Sequence, residues 1–200
     1  MADEYVLDTP AVRAFVGAVR QALAAAPPDQ AMHAMRPAFA ALLADEGWLP
    51  EAFRQPDTSG GMGGGIATWL IYRAADGGLS LFALVVPPGA ATPVHDHLAW
   101  GLVGLYAGEQ DEEVFRHAGP ADAQRAPLAL AERNHLRPGD FYVLLPPEGD
   151  IHRVATTSAT PSVSIHLLGN DTGCTWRHAY TPEDGGVREF RSGWSNSPCS

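Results

Sequence analysis

From residue 66 onward the chain is cut into short apolar runs by glycine and proline, and this cadence restricts the fold more than any other feature. Runs at 66–73 and 79–86 flank Asp76-Gly77-Gly78, a hairpin signal. Further strand-sized runs stand at 100–106, 110–117, 141–145, 152–156 and 162–168. Pro138-Gly139-Asp140 and Pro146-Pro147-Glu148-Gly149 supply turn chemistry between them. Many short antiparallel strands with regular punctuation predict an all-β sandwich or barrel. The 21 glycines and 17 prolines suit that architecture better than a helical bundle. Residues 118–131, polar and alanine-rich, read as a loop.

The first 58 residues have a different period. Asp8 or Thr9 can cap a helix with Pro10 near its first position, and Val12, Phe15, Val16, Val19 and Leu23 recur at helical spacing until Pro27-Pro28. A second helix is predicted over 37–45, with Phe39, Leu42 and Leu43 on one face, and a short turn near Pro50. Both stripes are narrow, so these helices pack on a sheet. The domain reading is therefore N-terminal helices over 1–58, a Gly-rich linker at 59–65, and a barrel with a C-terminal tail over 66–200. The glycine run lacks the Gly-Lys-Ser/Thr of a phosphate loop.

Charge excludes some functions. A formal net charge of -10 with no basic run speaks against nucleic-acid binding. Glu109, Asp111, Glu112 and Glu113 read as a solvated strand end. No apolar run approaches the roughly 20 residues of a membrane-spanning helix. Met1-Ala2-Asp3-Glu4 lacks the basic start and apolar core of a secretory signal, and Cys174 and Cys199 are the only cysteines. The expectation is a cytoplasmic protein with no disulfide framework.

Histidines carry the chemistry. On an extended segment side chains alternate, so His95 and His97 of Thr92-Pro93-Val94-His95-Asp96-His97 share a face. His152 follows the turn at Pro147-Glu148-Gly149 and is the candidate third ligand. Three imidazoles leave coordination positions open and suit Fe(II), Zn(II), Mn(II), Ni(II) or Cu(II). His33, His117 and His135 read as solvent-facing, His178 is less clear, and Trp69, Trp100 and Trp176 read as core or pocket wall.

Gly89-x5-His95-x-His97, closing at Gly108, resembles the first cupin motif, and Pro147-x-Gly149-x2-His152 resembles the second. The resemblance implies a double-stranded β-helix (a cupin or jelly-roll barrel) whose His95, His97 and His152 bind one metal. Gly101 stands where that motif usually has a glutamate ligand. A three-histidine set without a carboxylate is similar to the thiol dioxygenases, including bacterial 3-mercaptopropionate dioxygenases, which also carry glycine there. Val94-His95-Asp96-His97, His152-Arg153-Val154 and Ser162-Val163-Ser164-Ile165-His166 extend the likeness over roughly residues 66–180.

That resemblance implies a mononuclear Fe(II) enzyme, with Zn, Ni or Mn possible in a purified sample, that oxidises a small carboxylate-bearing thiol to its sulfinate with O2. Ser164 and His166 match a hydrogen-bond relay, the alternative for His166 being a satisfied core histidine. The relay's usual tyrosine is Leu168 here, with Tyr72, Tyr106, Tyr142 and Tyr180 as possible substitutes. Arg73 and Arg177 match carboxylate-binding positions; the alternative for each is a surface arginine. The expected partners are a small thiol and O2, with neither nucleic acid nor membrane, and a homodimer is left open. The rival readings are a cupin oxygenase or hydrolase of a non-thiol molecule and a non-catalytic ligand-binding cupin.

Overall fold

The computed structural model describes residues 2–58 and 62–199, so Ser59, Gly60 and Gly61 of the expected linker lie outside the described residues. One antiparallel sheet holds β1 (Glu4–Tyr5), β2 (Ala67–Arg73), β3 (Ser80–Val86), β5 (Gly101–Ala107), β8 (Phe141–Leu144) and β10 (Ser162–Leu168), in the order β1-β2-β3-β10-β5-β8. The other holds β4 (Val94–His95), β6 (Gln110–His117), β7 (Leu128–Leu136), β9 (Ile151–Thr156), β11 (Arg177–Thr181) and β12 (Gly186–Phe190), in the order β12-β11-β4-β9-β6-β7. The chain passes back and forth between the sheets, from β3 to β4 to β5 to β6 and again from β7 through β8, β9 and β10 to β11. This winding is the double-stranded β-helix anticipated from the sequence. Among the described residues no helix is long and apolar enough to cross a membrane.

Alternation in β10 divides the core in two. Val163, Ile165 and Leu167 face the helices, whereas Ser162, Ser164, His166 and Leu168 face the other sheet. Outside the first sheet lie α1 (Pro10–Ala25), through Val12, Phe15, Val16 and Val19, and α2 (Pro28–Ala44), through Met32, Met35, Phe39, Leu42 and Leu43. Each fully buried side chain of this size contributes about 1.5–3 kcal/mol relative to exposure, so the helices are part of the barrel's stability. Gly104 makes their close approach possible. A Cβ there would stand 2.4 Å from Leu43 Cδ1 and 2.9 Å from Phe39 Cε1.

Three local expectations are corrected. The second helix begins at Pro28, not at residue 37, because proline costs no hydrogen bond in the first helical turn, and the helix then runs through Pro37. The predicted loop at 118–131 ends where β7 starts; this exposed edge strand, paired with β6, carries charge instead of an apolar stripe. Trp176 is 58% exposed and belongs to no core, although Trp69 and Trp100 are partly buried against the helix-side core.

Cys174 and Cys199 are joined in a disulfide, their Cα atoms 5.4 Å apart, contrary to the expectation of two unpaired thiols. Nothing in their spacing of 25 residues announced it. The chain termini are brought together by contacts that no local pattern encodes.

Candidate metal centre

The short strand β4 sits between β11 and β9, and its register puts His95 directly opposite His152. His97, two residues further, falls on the same face. The three ring centroids are 4.9 Å (His95–His97), 5.0 Å (His95–His152) and 4.8 Å (His97–His152) apart. One nitrogen from each ring lies within 4.8 Å of the others, and each residue is at most 3% exposed.

The outward nitrogens fix how the rings can ligate. His95 Nδ1 is 2.8 Å from Pro93 O, His152 Nδ1 is 2.7 Å from Glu112 Oε1, and His97 Nδ1 is 3.4 Å from Asp150 O. Only acceptors face His95 and His97 there, and the carboxylate is the nearer partner of His152, so each Nδ1 carries its proton and each Nε2 lone pair stays free. Desolvation, followed by the field of Arg177 and neighbouring rings, pushes His95 well below the ordinary histidine range; desolvation, then His152 and Arg177, do the same to His97. Three imidazoles offering converging Nε2 atoms fit a first-row divalent ion.

Two acidic residues behind the ligands went unrecognised in the sequence. Asp150 accepts from the backbone N–H of His97 at 2.9 Å and of Leu98 at 3.1 Å, so the segment bearing His152 also holds His97 in place. Leu98 is held at φ 55°, the one described non-glycine residue in the left-handed region. Glu112, expected on a solvated strand end, is 2% exposed. It accepts from His152 and, through Oε2, from Asn134 Nδ2 at 3.1 Å. Desolvation raises its pKa, and hydrogen bonds from His152, Asn134 and Tyr142 more than offset this, leaving it below the ordinary carboxylate range. Gln110 and Glu112 are the buried residues of β6, a fact set by pairing with β9 and not by composition.

Partners behind a ligating histidine typically command about 10–100-fold in metal affinity. Glu112→Gln is expected to weaken zinc binding within that range while leaving one ion per chain, as measured by competition with a chelator of known affinity. Unchanged affinity would remove Glu112 from any role at the centre.

Arg177 lies two residues before Ala179, the register partner of His95, which places it level with His97 on the same inward face. It is 3% exposed. Nη1 donates to Asp96 O at 2.9 Å and Nη2 to Ser192 Oγ at 3.1 Å, while the buried Nε has no partner. Desolvation lowers its pKa to about 10, which still leaves it charged at neutral pH. Among the described residues no carboxylate forms an ion pair with it.

Ser164 and His166 meet as their alternation implies, Oγ to Nε2 at 2.9 Å. His166 stacks on Phe82 at 4.7 Å, and its ring is 6.4 Å from that of His97. Its Nδ1 has no partner, and burial, followed by the fields of His152 and Arg177, lowers its pKa to about 3. No tyrosine replaces the phenol that Leu168 lacks. Tyr72 bonds Arg20 and Asp3, Tyr106 bonds Arg54, Tyr180 bonds Asp96, and Tyr142 bonds Glu112 and lies 3.3 Å from the outer nitrogen of His152.

Gly101 is packed tightly against β10. A Cβ at residue 101 would stand 2.3 Å from both Leu168 Cδ2 and Leu167 O. The backbone carbonyl alone leaves a side chain at residue 101 no room without a shift of β10, and Leu168 fills the space beside it.

Arg73 is not brought to the triad. Its guanidinium bonds Glu4 and Asp171 and touches Cys174 Sγ and Ser197 Oγ, so it ties the termini together at the sheet edge. His33, His117 and His135 are exposed as expected, and His178 is held by Asp96 through Nδ1 at 2.7 Å.

The fold and the three imidazoles define a cupin-type barrel with a site able to hold one metal ion. No protein-family profile matches the chain. Among solved structures it is similar to Peruvianin-I, a cysteine peptidase from Thevetia peruviana latex, at 19% identity over 57% of this chain and 57% of that one (TM-score 0.38). It is also similar to a double-stranded β-helix protein from Klebsiella pneumoniae, at 14% identity over 53% of this chain and 73% of that one (TM-score 0.40). A third is the cupin domain of an XRE-family transcriptional regulator from Enterobacter cloacae, at 17% identity over 52% of this chain and 94% of that one (TM-score 0.37). At such distances the likeness concerns architecture only, and the strand order carries the fold assignment.

Proposed function

We propose that the chain is a mononuclear non-haem iron thiol dioxygenase acting on a small thiol that bears a carboxylate. The observation that carries this reading is Arg177, a buried guanidinium on the triad's face with an unused Nε and, among the described residues, no carboxylate in ion-pair contact, Asp96 and Asp150 acting on it only through their fields. A charge so placed is costly unless a ligand completes it. A carboxylate does so through charge-assisted hydrogen bonds.

An Fe(II) ion held by the three Nε2 atoms would supply Lewis acidity toward a thiol and a place for dioxygen. The protein's own part is positioning. Arg177 anchors the carboxylate and so aims the sulfur end toward the triad. His166, neutral at physiological pH, keeps an unpartnered Nδ1 in a ring beside that of His97, and Ser164 fixes that ring. Phe82, Leu168 and Phe190 keep the surroundings apolar, which strengthens each polar contact made inside. The net reaction joins both atoms of O2 to sulfur, turning RSH into RSO2H with no further reductant.

Iron-loaded protein prepared anaerobically is expected to consume O2 with carboxylate-bearing thiols such as cysteine or 3-mercaptopropionate, one molecule per thiol. Absence of O2 uptake across a panel of small thiols would overturn the proposal. One observation favours a second reading, oxygenation of a non-thiol molecule. His166 Nδ1 meets no phenol, so a donor present in the resembling enzymes is missing. Mass spectrometry of the product separates the two by whether oxygen is on sulfur.

A further inference from the structure

The C-terminal segment contributes to the site in a pattern that the barrel motifs do not describe. Phe190 closes β12 opposite Arg177; its ring lies 6.2 Å from that of His95, and the Arg177 guanidinium carbon is 4.4 Å above it. Ser192 Oγ accepts from Arg177 Nη2. The ring of Trp194 packs 5.1 Å from that of Phe82, whose other contact is the stack with His166. Positions 190, 192 and 194 thus turn inward in strand-like alternation, while Arg191 points to solvent.

The segment is seated on the loop that leads into Arg177. A Cβ on Gly173 would lie 2.4 Å from the Trp194 ring, and Trp194 Nε1 donates to Asp171 Oδ1 at 3.0 Å. Further along, Thr68 bonds Gly193 and Ser195, and Asn196 bonds Leu70 on both its backbone groups. The Cys174–Cys199 disulfide, partly exposed at both ends, closes the segment onto the same loop.

We propose that residues 190–194 form a strap beside the histidine cluster, tethered through 195–199, and that the Cys174–Cys199 disulfide keeps it in place, making access to the triad redox-dependent. The strap is otherwise held by a wedged tryptophan and by hydrogen bonds at a chain end, where local opening is easiest. With the disulfide intact, opening must occur within a closed loop. After reduction the end is free and opens without that constraint. The change requires a reductant. A phosphine and water convert the disulfide to two thiols and a phosphine oxide; in a cell a thiol pool does the same by exchange through a mixed disulfide. The inference rests on the histidine cluster described above but not on its metal or its reaction.

Diethyl pyrocarbonate modification of metal-free protein, mapped by peptide mass spectrometry, tests the strap directly. Neutral imidazoles react with this reagent, so the rate at each histidine reports access. Reduced and alkylated protein, and the Cys174→Ser/Cys199→Ser variant, are expected to react at least tenfold faster at His97 and His166 than oxidised protein. Exposed His33 and His135 serve as references with unchanged rates. Trp194→Ala with its disulfide intact should show the same direction, so the test survives poor folding of the cysteine variant. Rates within twofold in all forms would overturn the strap. So would an acceleration matched by equally faster amide exchange in β3 and β10, since that is loosening of the whole barrel. Failure of the metal reading appears separately, as zinc that does not bind stoichiometrically to oxidised protein.

Discussion

His97→Ala is expected to abolish stoichiometric iron and zinc binding and, with it, any thiol-dependent O2 uptake. His97 supplies one of three buried Nε2 donors, and its removal leaves two donors and a void. The loss should exceed the roughly 10–100-fold attributable to a partner behind a ligand. Metal analysis after desalting, beside circular dichroism to confirm the barrel, checks it. Asp150 still bonds the backbone N–H at residue 97, so the segment keeps its course. Retention of one tightly bound ion per chain would exclude His97 as a ligand.

Arg177→Met is the second large effect. Methionine approximates the buried aliphatic stem of arginine but carries no charge and no donor. Truncating one partner of a buried, hydrogen-bonded charge pair costs about 2–5 kcal/mol, and roughly 1.4 kcal/mol is a tenfold change. The kcat/KM for a carboxylate-bearing thiol should therefore fall by two orders of magnitude or so, with much of the loss in KM. For an amine thiol without a carboxylate, such as cysteamine, the variant should lose little relative to wild type. That difference between substrates distinguishes carboxylate binding from a merely structural role. An equal loss with both thiols would assign Arg177 to structure, through Asp96 O and Ser192 Oγ.

What was legible in the sequence follows from period and spacing. Alternation placed His95 with His97 and Ser164 with His166, and the turn before His152 placed the third imidazole. Gly101 was visible as a missing carboxylate, but its close packing was not: it depends on the Leu167 carbonyl and the Leu168 side chain arriving across the β5–β10 pairing. Glu112 was misread for a similar reason. In a run of acidic residues, only the register with β9 decides which one is turned inward beneath His152. Arg73 and Arg177 were equivalent as sequence; the fold puts the first in ion pairs with Glu4 and Asp171 and the second on the inward face beside His97. The disulfide and the inward 190-192-194 pattern rest on long-range contacts that a linear reading cannot reach.

The central claim, a three-histidine centre that places both atoms of dioxygen on the sulfur of a carboxylate-bearing thiol, is tested most directly with isotopically labelled O2. Iron-loaded protein and 3-mercaptopropionate or cysteine under labelled O2 should yield a sulfinate carrying two labelled oxygens, with no such product from His97→Ala. Disulfide as the sole thiol product, or a sulfinate whose oxygens come from water, would contradict it.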